Sequence, residues 1–241
     1  MAFSASNKEI EDDYIVHDVP LILQEGNWDC GIASTKMVLQ YLNSGDFEED
    51  KFEYICKQLG LHNSIWTIDI ASIFSKYEIK HLMCTQTLGV NPTYENESFY
   101  QRSFTSEEKR INTLFDQAAS KGIYIEKRSV EVAEILKHIK AGHVIIILVD
   151  AFILKCQEVE LSTNSTDSKS DTKAHGYLGH FIVVCGYDKI EKRIIYRDPS
   201  FTGLFQTKFD NFDKARKAYG TDEDILFIYT DDKKEKELKK S

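Results

Sequence analysis

Cys30 stands where a turn-rich stretch, Gln24-Glu25-Gly26-Asn27-Trp28-Asp29, gives way to a helical pattern beginning Cys30-Gly31-Ile32-Ala33. A thiol in the first turn of a helix faces unpaired backbone N–H groups and the positive end of the macrodipole, which favour a thiolate. Taken by itself such a cysteine is most simply a small buried residue, so its companions decide the reading. A thiolate that attacks a carbonyl needs a base, and an imidazole is the common one. Of the seven histidines, His180 is the best placed, because Gly179-His180-Phe181-Ile182-Val183-Val184 sets it at the start of an apolar strand with a glycine beside it. His175 competes from five positions away, but it belongs to a polar low-complexity stretch, and a mobile loop holds a base poorly. His17, His62 and His81 lie among polar or boundary residues, His138 in a helical run and His143 in a turn.

The imidazole in turn needs an acceptor that fixes its tautomer. The run Ile194-Ile195-Tyr196-Arg197-Asp198-Pro199-Ser200 follows His180 closely, and if 180–187 and 193–197 pair as a hairpin, Asp198 returns to the end where His180 begins. Asp188 falls at the opposite end, and Asp-Pro-Ser alone reads as a turn. Gln24, six residues before Cys30, can set its side-chain amide beside the Cys30 N–H as a second oxyanion donor. Together Cys30, His180, Asp198 and Gln24 read as nucleophile, base, orienting acid and oxyanion donor for acyl transfer.

These groups require a buried helix, an antiparallel hairpin and a turn that joins them. From Cys30 to Leu42 the apolar residues cover most of the helical wheel, as in a helix buried on several sides. Two shorter helices are expected over Glu48–Leu59, stopped by Gly60, and over Thr67–Tyr77. Residues 84–104 read as irregular and aromatic, and Thr105-Ser106-Glu107-Glu108 as a capping box for a helix through Ser120. Strands are expected at 123–126, 144–149, 180–187, 193–197 and 225–229, with helices at 129–140 and 211–219. Helices first and antiparallel strands later indicate an α+β domain. The expected organisation is a flexible start at 1–13, one domain over 14–230 with a mobile insertion at 157–174, and a charged tail at 231–241.

Composition narrows the partners. The 241 residues carry a formal charge of −9 with 42% apolar residues, which is enough to bury a core and far from a phosphate-binding surface. Nucleic acid is therefore not an expected partner. Five dispersed cysteines without a CxxC pair give no disulfide framework or zinc site, and the apolar run at 144–149 is too short for a membrane span. No leader opens the chain, so the expected location is the cytoplasm, with the nucleus as a second one.

The order Gln, Cys, His, Asp on these elements resembles the papain-like cysteine peptidases. The Gln24-to-Cys30 spacing, Asp29-Cys30-Gly31, and Gly179–Val184 followed by Asp198-Pro199 look closest to the C39-type branch. More narrowly, the chain is similar to the guanylyl cyclase domain-containing protein 1 family, the plant-type guanylyl cyclases. The likeness lies in Asn27-Trp28-Asp29-Cys30-Gly31, Ser64-Ile65-Trp66-Thr67-Ile68-Asp69, Cys84-Thr85-Gln86-Thr87-Leu88-Gly89-Val90, Ser98-Phe99-Tyr100, Gly179–Val183 and Tyr219-Gly220-Thr221-Asp222-Glu223-Asp224-Ile225-Leu226. It implies a papain-like α+β fold, N-terminal helices packed on a mostly antiparallel sheet, and the four site roles given above. Some relatives carry an amide residue where Asp198 stands, so the orienting role does not require a charge.

Three functions follow. The first is a cysteine-dependent hydrolase or acyl-transfer enzyme acting on an amide or peptide-like bond, with a peptide or protein as substrate and no cofactor or metal. The second, from the family name, is a guanylyl cyclase converting GTP to cyclic GMP with a divalent metal. No glycine-rich phosphate loop or Walker-type motif supports it, and Asp222-Glu223-Asp224 reads more simply as a helix-to-strand turn than as a metal site. The third is a non-catalytic protein-binding module that uses the aromatic segment 94–104.

Overall fold

The computed structural model of the chain describes residues 13–43, 47–61, 64–94, 104–155, 159–161 and 176–230. Its centre is one sheet of nine strands: β1 (Tyr14–Val16), β2 (His81–Thr85), β3 (Tyr124–Lys127), β4 (Val144–Asp150), β5 (Val159–Glu160), β6 (Gly179–Asp188), β7 (Arg193–Arg197), β8 (Phe205–Lys208) and β9 (Ile225–Ile228). In space they run β3-β2-β9-β4-β6-β7-β8-β5, and β1 pairs with β6 off this path. β2 and β3 are parallel, and all the other pairs are antiparallel.

Among the described residues seven α-helices accompany the sheet: α1 (Cys30–Asn43), α2 (Glu49–Gln58), α3 (Thr67–Lys76), α4 (Phe104–Gln117), α5 (Val132–Lys140), α6 (Ala151–Lys155) and α7 (Phe209–Arg216). The run Val144-Ile145-Ile146-Ile147 does not alternate, which requires apolar cover on both faces of β4. Ile146 joins Val183, Leu226 and the inner faces of α1 and α3 in one core, while Ile145 and Ile147 join Val184, Ile225 and residues of α5 and α7 in a second. Each fully buried side chain of this size contributes about 1.5–3 kcal/mol of transfer free energy. The result is an α+β fold in which N-terminal helices pack on one face of a mostly antiparallel sheet and later helices cover the other.

Several boundaries differ from the sequence reading. His81–Thr85, expected to border an irregular stretch, is an interior strand, because β9 and β3 pair with its two edges and bury its polar His81 and Thr85. The short strand β8 was also not expected. Val159 and Glu160, placed in the insertion 157–174, pair with Gln206 and Phe205; residues 162–174 of that insertion lie outside the described residues. So do residues 1–12, the tail 231–241, and 95–103 of the aromatic segment. Helix α4 starts at Phe104, so Thr105 is inside it rather than capping it, and α5 starts at Val132 instead of Ser129. Gly60, with φ +72°, follows α2 as the expected left-handed stop.

Candidate active site

Asp29 and Gly31 position the thiol. The Asp29 carbonyl accepts the Ala33 N–H at 2.9 Å, which makes Cys30 the first residue of α1. The Asp29 carboxylate accepts the N–H groups of Glu25 and Gly26, both at 2.9 Å, and so ties back the loop that delivers Cys30. Gly31 is needed for close packing: a Cβ there would lie 2.9 Å from Ile65 Cγ2 and 3.1 Å from both Ile70 Cδ1 and Phe181 Cδ2. The next turn is held to β6 by Ser34, whose hydroxyl donates to the Phe181 carbonyl.

The β6–β7 hairpin forms with Val183 opposite Arg197 and Tyr187 opposite Ile194, and its bulge lies between Val184 and Gly186. This register returns Asp198 to the start of β6. His180 Nε2 lies 2.8 Å from Asp198 Oδ1, with Asp198 fully buried and His180 exposed by only 7%. With Nε2 bonded to the carboxylate, Nδ1 is the ring nitrogen left for the thiol. Burial opposes a charged imidazole, but the Asp198 bond, the neighbouring Cys30 thiol and the charges of both raise the His180 pKa to about 9. Burial likewise opposes an ionised Asp198, yet the His180 bond and charge and the Ser200 N–H hold its carboxyl below the usual range.

Gln24 sits against the turn that follows Asp198. Its backbone N–H donates to the Pro199 carbonyl at 2.9 Å, and its side-chain oxygen accepts the Ser200 hydroxyl at 3.0 Å. One amide N–H donates to the Gly26 carbonyl at 2.6 Å, and the amide carries a second N–H. The remaining described histidines lie away from this cluster: His17 is bonded to Ile139, His81 to Ile79, His138 to Val144 and Ile228, and His143 to Thr230. His62 and His175 lie outside the described residues.

A cleft of about 310 Å³ opens at Cys30. Trp28, Trp66, Tyr177 and Leu148 supply apolar wall, and Thr67, Asp222 and Asp224 supply polar wall. The Tyr177 ring lies over Gly179 and Gly220, where a Cβ would meet it at 2.7 Å and 2.9 Å respectively. The reading of Asp222-Glu223-Asp224 as a turn was too coarse, because the three carboxyls part company. Asp222 accepts from Thr87 and Asn91, both at 2.9 Å, and Glu223 accepts the Ser129 hydroxyl. Asp224 turns into the cleft wall, where Oδ2 accepts the Thr67 hydroxyl at 2.5 Å and Oδ1 has no hydrogen-bond partner. The signal for it in the sequence was faint: an acidic residue directly before a wholly apolar strand.

A divalent metal does not fit this wall. Among the described residues no three His, Cys, Asp or Glu side chains are grouped to hold an ion, and no cationic side chain lines the cleft to receive a triphosphate. No described helix is long and apolar enough to cross a membrane.

The comparisons with known proteins agree with the geometry on fold. A family model described as guanylylate cyclase matches residues 19–228. Guanylyl cyclase 1 of Arabidopsis thaliana is 35% identical over 213 residues, spanning 88% of this chain and 75% of that protein. A crystal structure described as a C39-like peptidase from Bacillus anthracis covers 90% of this chain and 98% of its own, with a TM-score of 0.50 and 15% identity, which is a likeness of fold.

Proposed function

The chain belongs to the guanylylate cyclase family, and we propose that this member is a cysteine-dependent hydrolase or acyl-transfer enzyme acting on an amide or peptide-like bond. The observation that carries the reading is the buried His180–Asp198 pair, 2.8 Å apart, with its free ring nitrogen beside a thiol on the first turn of α1. His180 takes the Cys30 proton, and the thiolate attacks the carbonyl carbon of a peptide or protein substrate. The Cys30 N–H and the second Gln24 N–H receive the oxyanion. The imidazolium then protonates the leaving amine, and a water deprotonated by His180 hydrolyses the thioester. Asp198 keeps Nε2 protonated throughout, so Nδ1 faces the reacting atoms.

The test is covalent labelling by a thiol-directed peptidyl acyloxymethyl ketone, with the modified residue located by mass spectrometry. Cys30 is expected to be labelled, and Cys30→Ala to lose labelling while keeping its melting temperature. Equal labelling of the variant overturns the reading. The relative's printed name favours a second reading, conversion of GTP to cyclic GMP. It predicts cyclic GMP formation that scales with enzyme concentration and is unaffected by Cys30→Ala. The donor set of the cleft does not fit it.

A further inference from the structure

We propose that the cleft selects substrates bearing a protonated amine or guanidinium, whose positive charge seats against Asp224 within a residue or two of the bond Cys30 attacks. This rests on the reading of Cys30 as the nucleophile and names the substrate class of that same site.

Asp224 has no countercharge among the described residues. Asp224 is exposed by only 9%, its Oδ1 makes no hydrogen bond, and no ion pair to it occurs among the described residues. Its one close carboxyl partner is a neutral hydroxyl, that of Thr67. The nearby Thr85 hydroxyl points to the carbonyls of Thr87 and Asp222. Burial therefore pushes the Asp224 pKa up to about 7, with the Asp222 charge adding to the effect and the threonine hydroxyls opposing it. A buried carboxyl in this state gains most from a partner that brings positive charge. A void of about 10 Å³ on its other side, bounded by Met83, Gly89 and Phe115, has room for at most one water, which supplies a hydrogen bond but no charge.

Everything else lining the cleft agrees with a cation. Asp222 is a second carboxyl, and Trp28, Trp66 and Tyr177 offer aromatic faces, which attract ammonium and guanidinium groups. Placement also fits. Asp224 and His180 flank the same strand, since the Leu148 N–H of β4 donates to the Asp224 carbonyl and Val149 pairs with His180. Neighbouring strands on either side of β4 put their backbones roughly 10 Å apart, a span that a lysine or arginine side chain crosses from a peptide lying at Cys30.

The experiment uses tetrapeptidyl acyloxymethyl ketones on the full chain, each made with Lys, Arg or norleucine at one position and with an acetylated or free amino terminus. The expected result is that, at one position, Lys or Arg raises the rate of Cys30 labelling over norleucine by roughly tenfold to a hundredfold, as for a hydrogen bond to a charged group. If the charge comes instead from the substrate's α-amine, the free terminus gives the rise and acetylation removes it. Asp224→Asn should bring the ratio towards one, and Thr67→Val, which leaves the charge in place, should keep a ratio above one. Equal labelling by charged and uncharged probes in the wild-type protein overturns this inference and leaves the nucleophile standing. Absence of Cys30 labelling by every probe overturns the nucleophile, and this inference with it.

Discussion

Two aspartates, Asp198 after β7 and Asp224 before β9, are both almost wholly removed from water, and their carboxyls are shifted in opposite directions. Asp198 Oδ1 meets an imidazole at 2.8 Å and a backbone N–H at 2.7 Å while Oδ2 has no hydrogen-bond partner, and its carboxyl is held below the usual range. Asp224 meets a threonine hydroxyl, likewise has one oxygen without a partner, and is pushed by burial up to about 7. Desolvation is the first influence on each, so burial does not separate them. What separates them is whether the protein supplies a cation. The Asp198 side has its countercharge completed within the chain, by His180, while the Asp224 side is left for a cation to complete.

The largest expected effect tests the completed side. Asp198→Ala should lower the rate of Cys30 alkylation by the same ketone probe by roughly 10²–10⁴-fold, the range seen when a base loses its tautomer-fixing acceptor. A loss of less than threefold would place Asp198 in the turn rather than in the chemistry.

The next contrasts the two carboxyls through stability against pH. His180, raised from 6.5 to about 9, contributes stability that is full below about 6.5 and is lost as the pH rises through about 9. Asp198 is depressed, so its contribution is present above the ordinary carboxylate range and is lost as the pH falls through its lowered value. Asp198→Ala should therefore lose about 3–5 kcal/mol near pH 5–6 and less above pH 9. Asp224 has the reverse sense. Raised from 3.8 to about 7, it withdraws stability as the pH climbs between those values. Asp224→Asn should then gain on wild type by on the order of 1–3 kcal/mol by pH 8, and lose the gain near pH 4. Denaturant melts of each variant minus wild type isolate these effects from His138, which burial lowers to about 4 and which destabilises the protein in acid. Parallel pH profiles for the two variants would break the comparison.

The smallest effect concerns a pair that is equally close but wet. Arg128 and Glu134 are 2.6 Å apart with side chains 34% and 41% exposed. Arg128→Met should change stability by at most about 1 kcal/mol, because solvent already screens the charge. A loss as large as that of Asp198→Ala would mean that proximity, not burial, sets the worth of a pair in this protein.

Much of the completed side was legible in the sequence, because its logic is local. His180 and Asp198 are joined by two apolar runs and a short turn, so a hairpin brings them together with little further information. The helix at Cys30 was visible from its wheel. Gln24 was read as an oxyanion donor, and its backbone and side chain are anchored to the Pro199–Ser200 turn in a way that no local pattern shows. The Asp224 side was hidden for the same kind of reason. Thr67 and Asp224 meet across 157 positions, and nothing in either neighbourhood announces the other. The strands β2 and β8 were missed because His81, Cys84, Thr85, Gln206 and Lys208 interrupt the apolar alternation, and their pairing partners decide their state. The positive φ of Asp222 and Glu223, at 48° and 53°, which aims the three adjacent carboxyls in different directions, has no signature in residue type.

The docking of α1 on β6 also orders events in time. A ribosome makes Cys30 about 170 residues before Asp198, and at 5–20 residues per second the thiol emerges roughly 10–30 s ahead of the groups that would activate it. Through that interval the nascent chain holds the Cys30 thiol without the His180–Asp198 pair that lies beside it in the folded protein. The His180–Asp198 pair forms only when β6 and β7 come together, so a chain truncated before residue 198 holds the thiol without that pair.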